Sequence, residues 1–334
     1  MINQSIIAVV AGGYSGEWKV SIASAKSLMQ WIDRSKFSPY LIKLDHEGWS
    51  VVEGPQGESL NLPVDKNVFG CTLGNGETIR FEYAFITIHG TPGENGLLQG
   101  YFDMLQIPYN TGGVLTESLT FDKFACNHYL SSFPDIHVAK SIQVRTLHNI
   151  PKEDDVVMQL GLPVFVKPNA GGSSIATFKV SNREDLLPAI KKAFDEANEV
   201  LIESLLTGTE VTCGCYYSEG KGCVALPLTE VVSHNTFFDY EAKYKGAVDE
   251  ITPARIPDDL RDRLQSLTKK IYGYVHAHGF IRADYIVNES GVPYLLEVNT
   301  TPGMTATSFI PQQVRAAGMT MTEVLTDIIS QKLS

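Results

Sequence analysis

Two short runs in which apolar and polar residues alternate, joined by a turn, constrain this 334-residue chain more than any other feature. The first is Ile281-Arg-Ala-Asp-Tyr-Ile-Val287 and the second ends in Leu296-Glu-Val-Asn299, with Glu289-Ser290-Gly291 between them. Side chains two apart on a strand share a face, so the pattern predicts a β-hairpin. Ile281, Ala283, Tyr285, Val287, Leu296 and Val298 are its expected core side. If Asn288 pairs with Pro293, Asp284 falls opposite Glu297 and Arg282 opposite Asn299 on the other side. Two carboxylates and an amide oxygen on one strand floor suit a hard divalent cation, which takes oxygen ligands and completes its shell with substrate phosphates. The simpler account is a solvated hairpin face with one ion pair. The Gly/Pro-rich run at residues 300–304 favours the metal, because it suits close backbone approach to a substrate.

The length exceeds one compact core, and two or three domains are expected. The net charge of −11 argues against nucleic acid as the main partner. It leaves room for phosphorylated ligands held by a few local cations. The five cysteines (Cys71, Cys126, Cys213, Cys215 and Cys223) form no C-x-x-C pair, and the reading is buried thiols in a reducing compartment. No apolar run is long enough for a bilayer span, and the opening residues enter a strand with no basic leader region. The expectation is a cytoplasmic protein without membrane or nucleic-acid partners.

Along the chain, the apolar run at residues 6–11, the turn Gly12-Gly-Tyr-Ser-Gly16 and a helix over residues 20–31 read as the opening of an α/β unit. Residues 37–44 read as the next strand, 47–76 as loops with short strands, and 83–88 as a strand ending at His89-Gly90. A helix is expected over 96–105 and another over 118–131, carrying Asp122 and Lys123. Residues 163–167 form a buried strand entering Pro168-Asn-Ala-Gly-Gly-Ser-Ser174, followed by a strand over 176–180. Residues 182–197 show an amphipathic helical spacing. Strands over 200–203, 211–217 and 224–232 precede a polar, aromatic loop at 234–249. A long helix over 258–278, the hairpin and a helix over 321–332 complete the chain.

Several of these places carry chemistry. The first glycine turn departs from the dinucleotide pattern G-x-G-x-x-G, but Glu17 stands at its mouth, where a ligand crevice opens at strand C-termini. A carboxylate there can hold a substrate ammonium. The loop at 169–174 lacks the Walker lysine-serine order, yet backbone N–H groups in such a loop cradle phosphate, and Lys167 adds a point charge. Lys243 and Tyr244, in Tyr240-Glu-Ala-Lys-Tyr244, suit a lid loop that delivers a cation. A solvated loop lysine is the plainer reading. His89, in His89-Gly-x-x-Gly-Glu94, carries little weight alone.

In their order along the chain these blocks resemble the D-alanine–D-alanine ligases of the ATP-grasp superfamily. They are Gly12-Gly-Tyr-Ser-Gly-Glu17 with Val20-Ser21, His89-Gly-x-x-Gly-Glu94, Val166-Lys-Pro168 with Gly172-Ser-Ser174, Tyr240-Glu-Ala-Lys-Tyr244, and Arg282-x-Asp284 with Leu296-Glu-x-Asn-Thr-x-Pro-Gly-Met304. The resemblance spans nearly the whole chain. It implies an α/β architecture of three domains: an N-terminal parallel-sheet domain (1–122), a central ATP-grasp domain (123–203) and a C-terminal ATP-grasp domain (204–334). It implies ATP and two Mg²⁺ or Mn²⁺ ions as cofactors. ATP would meet Lys123, Lys167, Ser173 and Lys243 at its phosphates, Glu203, Ser204 and Leu206 at adenine, and Glu210 at the ribose. Asp284, Glu297 and Asn299 match the metal ligands. Glu17 matches the residue holding the first D-alanine, and Glu17, Ser173 and Tyr244 match a trio tying the lid across the site. Val20 and His89 fall on the substrate side. Ser308 and Phe309 match the place of the second carboxylate; for the implied reaction, Arg282 and the Gly303 N–H are the candidates for stabilising a tetrahedral oxyanion.

The implied reaction joins two D-alanine molecules at the expense of ATP, in a homodimer. A D-lactate- or D-serine-using ligase is the near alternative. An oxidoreductase built on the first glycine turn leaves the hairpin unexplained. A non-catalytic ATP-binding protein leaves Lys167, Lys243, Arg282 and Glu297 unexplained. Asn95 stands where many relatives have Asp, and residues 53–76 match no motif.

Overall fold

The computed structural model describes residues 4–172, 175–233 and 248–333. Its first sheet combines β1 (Ser5–Gly12), β2 (Phe37–Asp45), β3 (Gly48–Glu53), β4 (Ser59–Pro63) and, beyond a separate small hairpin of β5 (Gly70–Thr72) and β6 (Thr78–Arg80), β7 (Tyr83–Ile86). The strand order is β4-β3-β2-β1-β7. β1 runs parallel to β2 and β7, and Ile7 to Ala11 are fully buried, as a parallel strand covered on both faces requires. α1 (Trp18–Trp31) follows the glycine turn. Ser21 fastens that turn: its hydroxyl donates to Thr87 O at 2.7 Å and accepts from Gly12 N at 2.9 Å. Gly12 has φ +100°, and a Cβ there would stand 2.2 Å from Leu44 O, so no other residue fits without displacing backbone.

α2 (Leu97–Leu105) leads to α3 (Val114–Phe121) and α4 (Lys123–Ser131). The single helix expected over 118–131 is therefore two. Asp122 leaves helical geometry (φ −85°, ψ 102°), and its side chain accepts from Ala125 N at 2.9 Å as the N-cap of α4. The kink places Lys123 at the start of a helix, with its ammonium near Glu297 and the Gly171 carbonyl.

β8 (His137–Val138), β9 (Ser141–Val144), α5 (Glu153–Leu160), β10 (Val164–Pro168), β11 (Phe178–Val180), α6 (Leu186–Phe194) and β12 (Val200–Ser204) come next. Four of them form an antiparallel sheet in the order β11-β10-β12-β9. The last part comprises β13 (Thr209–Ser218), β14 (Gly222–Ala225), β15 (Thr229–Ser233), β16 (Val248–Ile251), α7 (Asp258–Tyr274), β17 (Phe280–Val287), β18 (Pro293–Asn299), α8 (Phe309–Ala316) and α9 (Met321–Leu333). The strand expected over 224–232 is thus split in two. The large sheet has the order β16-β15-β13-β17-β18-β8, with β14 beside β13. α8 and α9 return to the N-terminal part: Ile310, Val314 and Leu325 share a core with Val9 and Leu28. The five cysteines are free, with Cys215 and Cys223 Sγ atoms 3.2 Å apart. No helix among the described residues is long and apolar enough to cross a membrane.

The hairpin of β17 and β18 forms with the turn at residues 289–291, where Gly291 N donates to Asn288 O at 2.8 Å. Arg282 pairs with Asn299 and Asp284 with Glu297, as expected. The expected pairing of Asn288 with Pro293 does not occur. Val287 faces Pro293, and a β-bulge beside Leu296 restores the register by Asp284. The bulge corrects the expected core face too. Leu295, 1% exposed, enters the core, while Leu296 turns to a cavity beside Ile286.

Candidate functional site

Two adjoining cavities open between the sheets, of about 520 and 470 Å³. The β17–β18 hairpin floors both. The larger is walled by Phe165, Lys167, Glu203, Ser204, Leu205, Leu206, Glu210, Ile286 and Leu296. The smaller is walled by Val20, His89, Glu94, Asn299, Gly303 and Ser308. Glu17, Lys123, Gly172, Arg282, Glu297 and Phe309 border both cavities and mark where they meet.

At that junction Arg282 donates to both oxygens of Asp284, from Nε at 2.9 Å and Nη2 at 2.7 Å. Thr212, opposite Asp284 on β13, donates to its Oδ1. Glu297 stands between two cations, with Oε2 3.5 Å from Lys123 Nζ and Oε1 3.9 Å from Arg282 Nη2. Asn299, with its amide oriented to satisfy both neighbours, accepts from Arg282 Nη2 at 3.1 Å and donates to Glu94 Oε1 at 3.0 Å. Burial weakens the charged form of Arg282, but Asp284, Glu297 and Glu94 more than offset it, so its pKa lies above the usual guanidinium value. It stays cationic at any working pH. The Phe309 ring lies 5.3 Å from the guanidinium carbon, within cation–π range.

Glu94, which borders the smaller cavity, has a strongly altered ionisation. Burial pushes its carboxyl up to about 7, and the nearby Glu17 adds to this. The Gly90 N–H, Thr301 and Lys123 act the other way. Its Oε2 accepts from Gly90 N at 2.6 Å.

In the larger cavity Lys167 on β10 pairs with Glu203 on β12 at 2.5 Å, across neighbouring strands. Lys123 Nζ also donates to Gly171 O at 2.5 Å, tying α4 to the glycine loop. Glu17 occupies the N-cap position of α1 but makes no side-chain cap bond. Its carboxylate instead lies against Gly172, where a Cβ would stand 2.7 Å from Oε2. In the smaller cavity Ser308 precedes α8, and its hydroxyl accepts from Thr305 N at 3.1 Å. His89 is 8% exposed, and its carbonyl accepts from Ser15 Oγ at 2.7 Å.

The structure therefore brings Glu17, Lys123, Lys167, Glu203, Ser204, Leu206, Glu210, Arg282, Asp284, Glu297 and Phe309 to the larger cavity, and Val20, His89, Asn299, Gly303 and Ser308 to the smaller. Ser173, Lys243 and Tyr244 lie outside the described residues. Sequence reasoning missed Thr212, Phe165 and Ile286. Ile286 was accessible, since it follows Arg282 and Asp284 at spacing two. Glu94 was quoted within its block but given no place in the site.

The donor set at the junction is two carboxylates and an amide, all hard oxygens. Among the described residues no group of three His, Cys, Asp or Glu side chains is placed to hold an ion. The residues fit Mg²⁺ of the kind that takes one or two carboxylates and leaves its other positions to phosphate and water.

Two family models match most of the chain. The N-terminal model of the D-Ala–D-Ala ligases matches residues 6–112 and the C-terminal model residues 134–330. A D-alanine–D-alanine ligase of Porphyromonas gingivalis is 56% identical over 333 residues, covering 100% of this chain and 99% of its own length. That of Bacteroides fragilis is 52% identical over 326 residues, with 98% of each chain covered. Among solved structures, the VanG D-Ala:D-Ser ligase of Enterococcus faecalis superposes with a TM-score of 0.87 at 29% identity, covering 99% of this chain and 100% of its own. The Bacillus anthracis D-alanine–D-alanine ligase complexed with ATP superposes at 0.77 and 26% identity, covering 98% and 97%. With both halves matched and relatives above half identity over their whole length, the chain belongs to the D-alanine–D-alanine ligase family of ATP-grasp enzymes.

Proposed function

We infer that this protein joins two D-alanine molecules into D-alanyl-D-alanine, the dipeptide of peptidoglycan precursors, with ATP cleaved to ADP and phosphate. The observation that carries the reading is the shared border of the two cavities, where Lys123, Arg282 and Glu297 meet. A group transferred from a nucleotide in one cavity to a carboxylate in the other must pass there.

A carboxylate resists amine attack because oxide would have to leave. Phosphorylation provides a leaving group, and the enzyme's work is then positioning and charge stabilisation. The first D-alanine's carboxylate oxygen attacks the γ-phosphorus, ADP leaves, and the second D-alanine's amine displaces phosphate from the acyl phosphate. Glu17 receives the first ammonium. Lys123, Lys167 and Lys243 meet the phosphates. Leu206, Ile286 and Leu296 enclose the base, with Glu203, Ser204 and Glu210 around base and ribose. Arg282 and the Gly303 N–H face the tetrahedral oxyanion. Ser308 and Phe309, at the start of α8, take the second carboxylate, with Val20 and His89 beside it. Ser173 and Tyr244 close the lid with Glu17 and exclude water. Asp284, Glu297 and Asn299 would hold two Mg²⁺ or Mn²⁺ ions. When bound, such ions neutralise charge on the triphosphate.

The proposed domains are 1–122, 123–203 and 204–334, supported by the three main sheets, which follow this division except that β8 pairs with β18 and β12 runs to Ser204. A homodimer is supported by Leu97, Met104 and Leu115 on the neighbouring helices α2 and α3, which are 61%, 80% and 75% exposed. A cytoplasmic location is supported by five free thiols. D-alanine is favoured over D-lactate as second substrate because Tyr244, neutral near pH 7, stands in the lid with no histidine between His234 and His276. A cationic histidine there would repel the incoming ammonium. The test is phosphate release with ATP and Mg²⁺ across D-alanine, L-alanine, D-serine and D-lactate, with products separated by mass. The D-alanine dipeptide is expected to dominate at pH 7. A depsipeptide or a serine-containing product as the main one would overturn the specificity and leave the ligase chemistry standing.

A further inference from the structure

Beneath the hairpin lies a carboxyl that the mechanism above does not use. Glu117, in the middle of α3, is 0% exposed. Its Oε2 accepts from Thr300 Oγ1 at 2.5 Å. Its Oε1 is buried with no hydrogen-bond partner among the described residues. Burial holds its pKa well above the carboxylate range, and nearby Glu94 reinforces this while Thr300 and the Gly112 N–H oppose it. A half-satisfied buried carboxyl destabilises a fold, and packing alone would be served by an apolar side chain.

What Glu117 touches gives it a use. Thr300, 4% exposed, directly follows Asn299, the last residue of β18. Glu117 itself lies on the helix that leads through the Asp122 cap into Lys123. The same two stretches of chain meet again at the reacting end, where Lys123 Nζ stands 3.5 Å from Glu297 Oε2. That second contact is long and borders open cavity, so it fixes little by itself. The Thr300–Glu117 bond is short and dry.

We propose that Glu117 is a positioning residue: through Thr300 it sets where Glu297 and Asn299 stand relative to Lys123. The proposal rests on the reading of Glu297 and Asn299 as metal ligands. Its working part is the hydrogen-bond acceptor offered to Thr300.

The test uses the full-length protein saturated with ADP. Mn²⁺ binding is followed by loss of the free-ion EPR signal, and kcat and the D-alanine KM are measured in parallel. Thr300→Val removes the hydroxyl at nearly constant shape, Glu117→Ala removes the acceptor, and Glu117→Gln keeps an amide oxygen in its place. Thr300→Val and Glu117→Ala are expected to weaken Mn²⁺ binding and lower kcat at least threefold each, with the D-alanine KM changed less than twofold. Glu117→Gln is expected to stay within twofold of the parent. Should Glu117→Ala fail to fold, Thr300→Val decides. Unchanged Mn²⁺ affinity in Thr300→Val overturns the proposal, and so does a Glu117→Gln variant as impaired as Glu117→Ala. Glu297→Gln, run beside them, separates the two readings. If it weakens Mn²⁺ and Thr300→Val does not, only the positioning role falls. If it leaves Mn²⁺ affinity unchanged, the metal reading falls and this one with it.

Discussion

Replacing Glu94 by Gln should make the ligand-free protein more stable and less active above neutral pH. The Glu94 carboxyl titrates at about 7 in the fold, against 4.5 as its ordinary value, chiefly because it is buried. A raised folded pKa means that the native state binds more protons than the unfolded state between those two values. The stability tied to the neutral carboxyl is therefore fully present below about pH 4.5 and lost as pH rises through about 7. At about 1.4 kcal/mol per pKa unit, the whole shift corresponds to roughly 3 kcal/mol. Water in the smaller cavity, which Glu94 borders, screens part of this, and about 1–3 kcal/mol is expected at pH 8. Gln does not titrate, so its advantage should grow from nearly nothing at about pH 4.5 to that value at pH 8. His278 works in the opposite sense. Burial lowers its pKa to about 4, so its contribution is present above about 6.5 and lost as pH falls through about 4. The two slopes overlap and partly cancel in the parent protein, whereas the difference between parent and variant isolates Glu94. Above about pH 7, where Glu94 is ionised, activity should fall because an amide in place of the carboxylate cannot accept from both Gly90 N and Asn299 Nδ2. The assay is urea unfolding of both proteins at half-unit steps from pH 4.5 to 8, with turnover measured alongside. A stability difference that does not change with pH would refute the reasoning.

Two further substitutions probe the junction of the cavities. Glu297→Gln should leave the melting temperature within a few degrees of the parent and cut turnover by roughly a hundredfold or more, since a ligand at a phosphoryl-transfer site is weakened; near-normal turnover at saturating Mg²⁺ would remove Glu297 from that role. Gly172→Ala should raise the D-alanine KM roughly tenfold, because its methyl would stand 2.7 Å from Glu17 Oε2 and force the carboxylate aside. An unchanged D-alanine KM would separate Glu17 from ammonium binding.

How far the sequence reveals this site depends on the kind of information each residue carries. The floor was legible because strand periodicity is local: Arg282, Asp284, Glu297 and Asn299 announce a shared face by spacing alone. The bulge that exchanges Leu295 and Leu296 was not, since an extra residue in one arm shows only when the arms are paired. The break at Asp122 went unread because the helical pattern continues across it, although Asp before Lys-Phe-Ala is a fair N-cap signal. α8 escaped because Pro311 interrupts it, yet proline is tolerated in a first turn, where the lost N–H has no helical partner. Glu117 gave no sign at all. An acid between Thr116 and Ser118, just before the expected helix, reads as solvated surface, and only the packing of α3 on β18 makes it buried. The stretch at 53–76, silent as a motif, supplies Phe69 to an aromatic core with Phe81 and Phe102.

The central claim is that a D-alanine carboxylate is phosphorylated at the junction of the two cavities before the amine attacks. D-alanine labelled with ¹⁸O in both carboxylate oxygens, incubated with ATP, Mg²⁺ and the enzyme, tests it most directly. An acyl phosphate carries a bridging oxygen from the carboxylate, and attack on its carbonyl releases that oxygen with phosphorus. One ¹⁸O atom should therefore appear in each phosphate released, with one D-alanyl-D-alanine formed per ADP. Phosphate free of ¹⁸O, formed in step with dipeptide, would contradict the account.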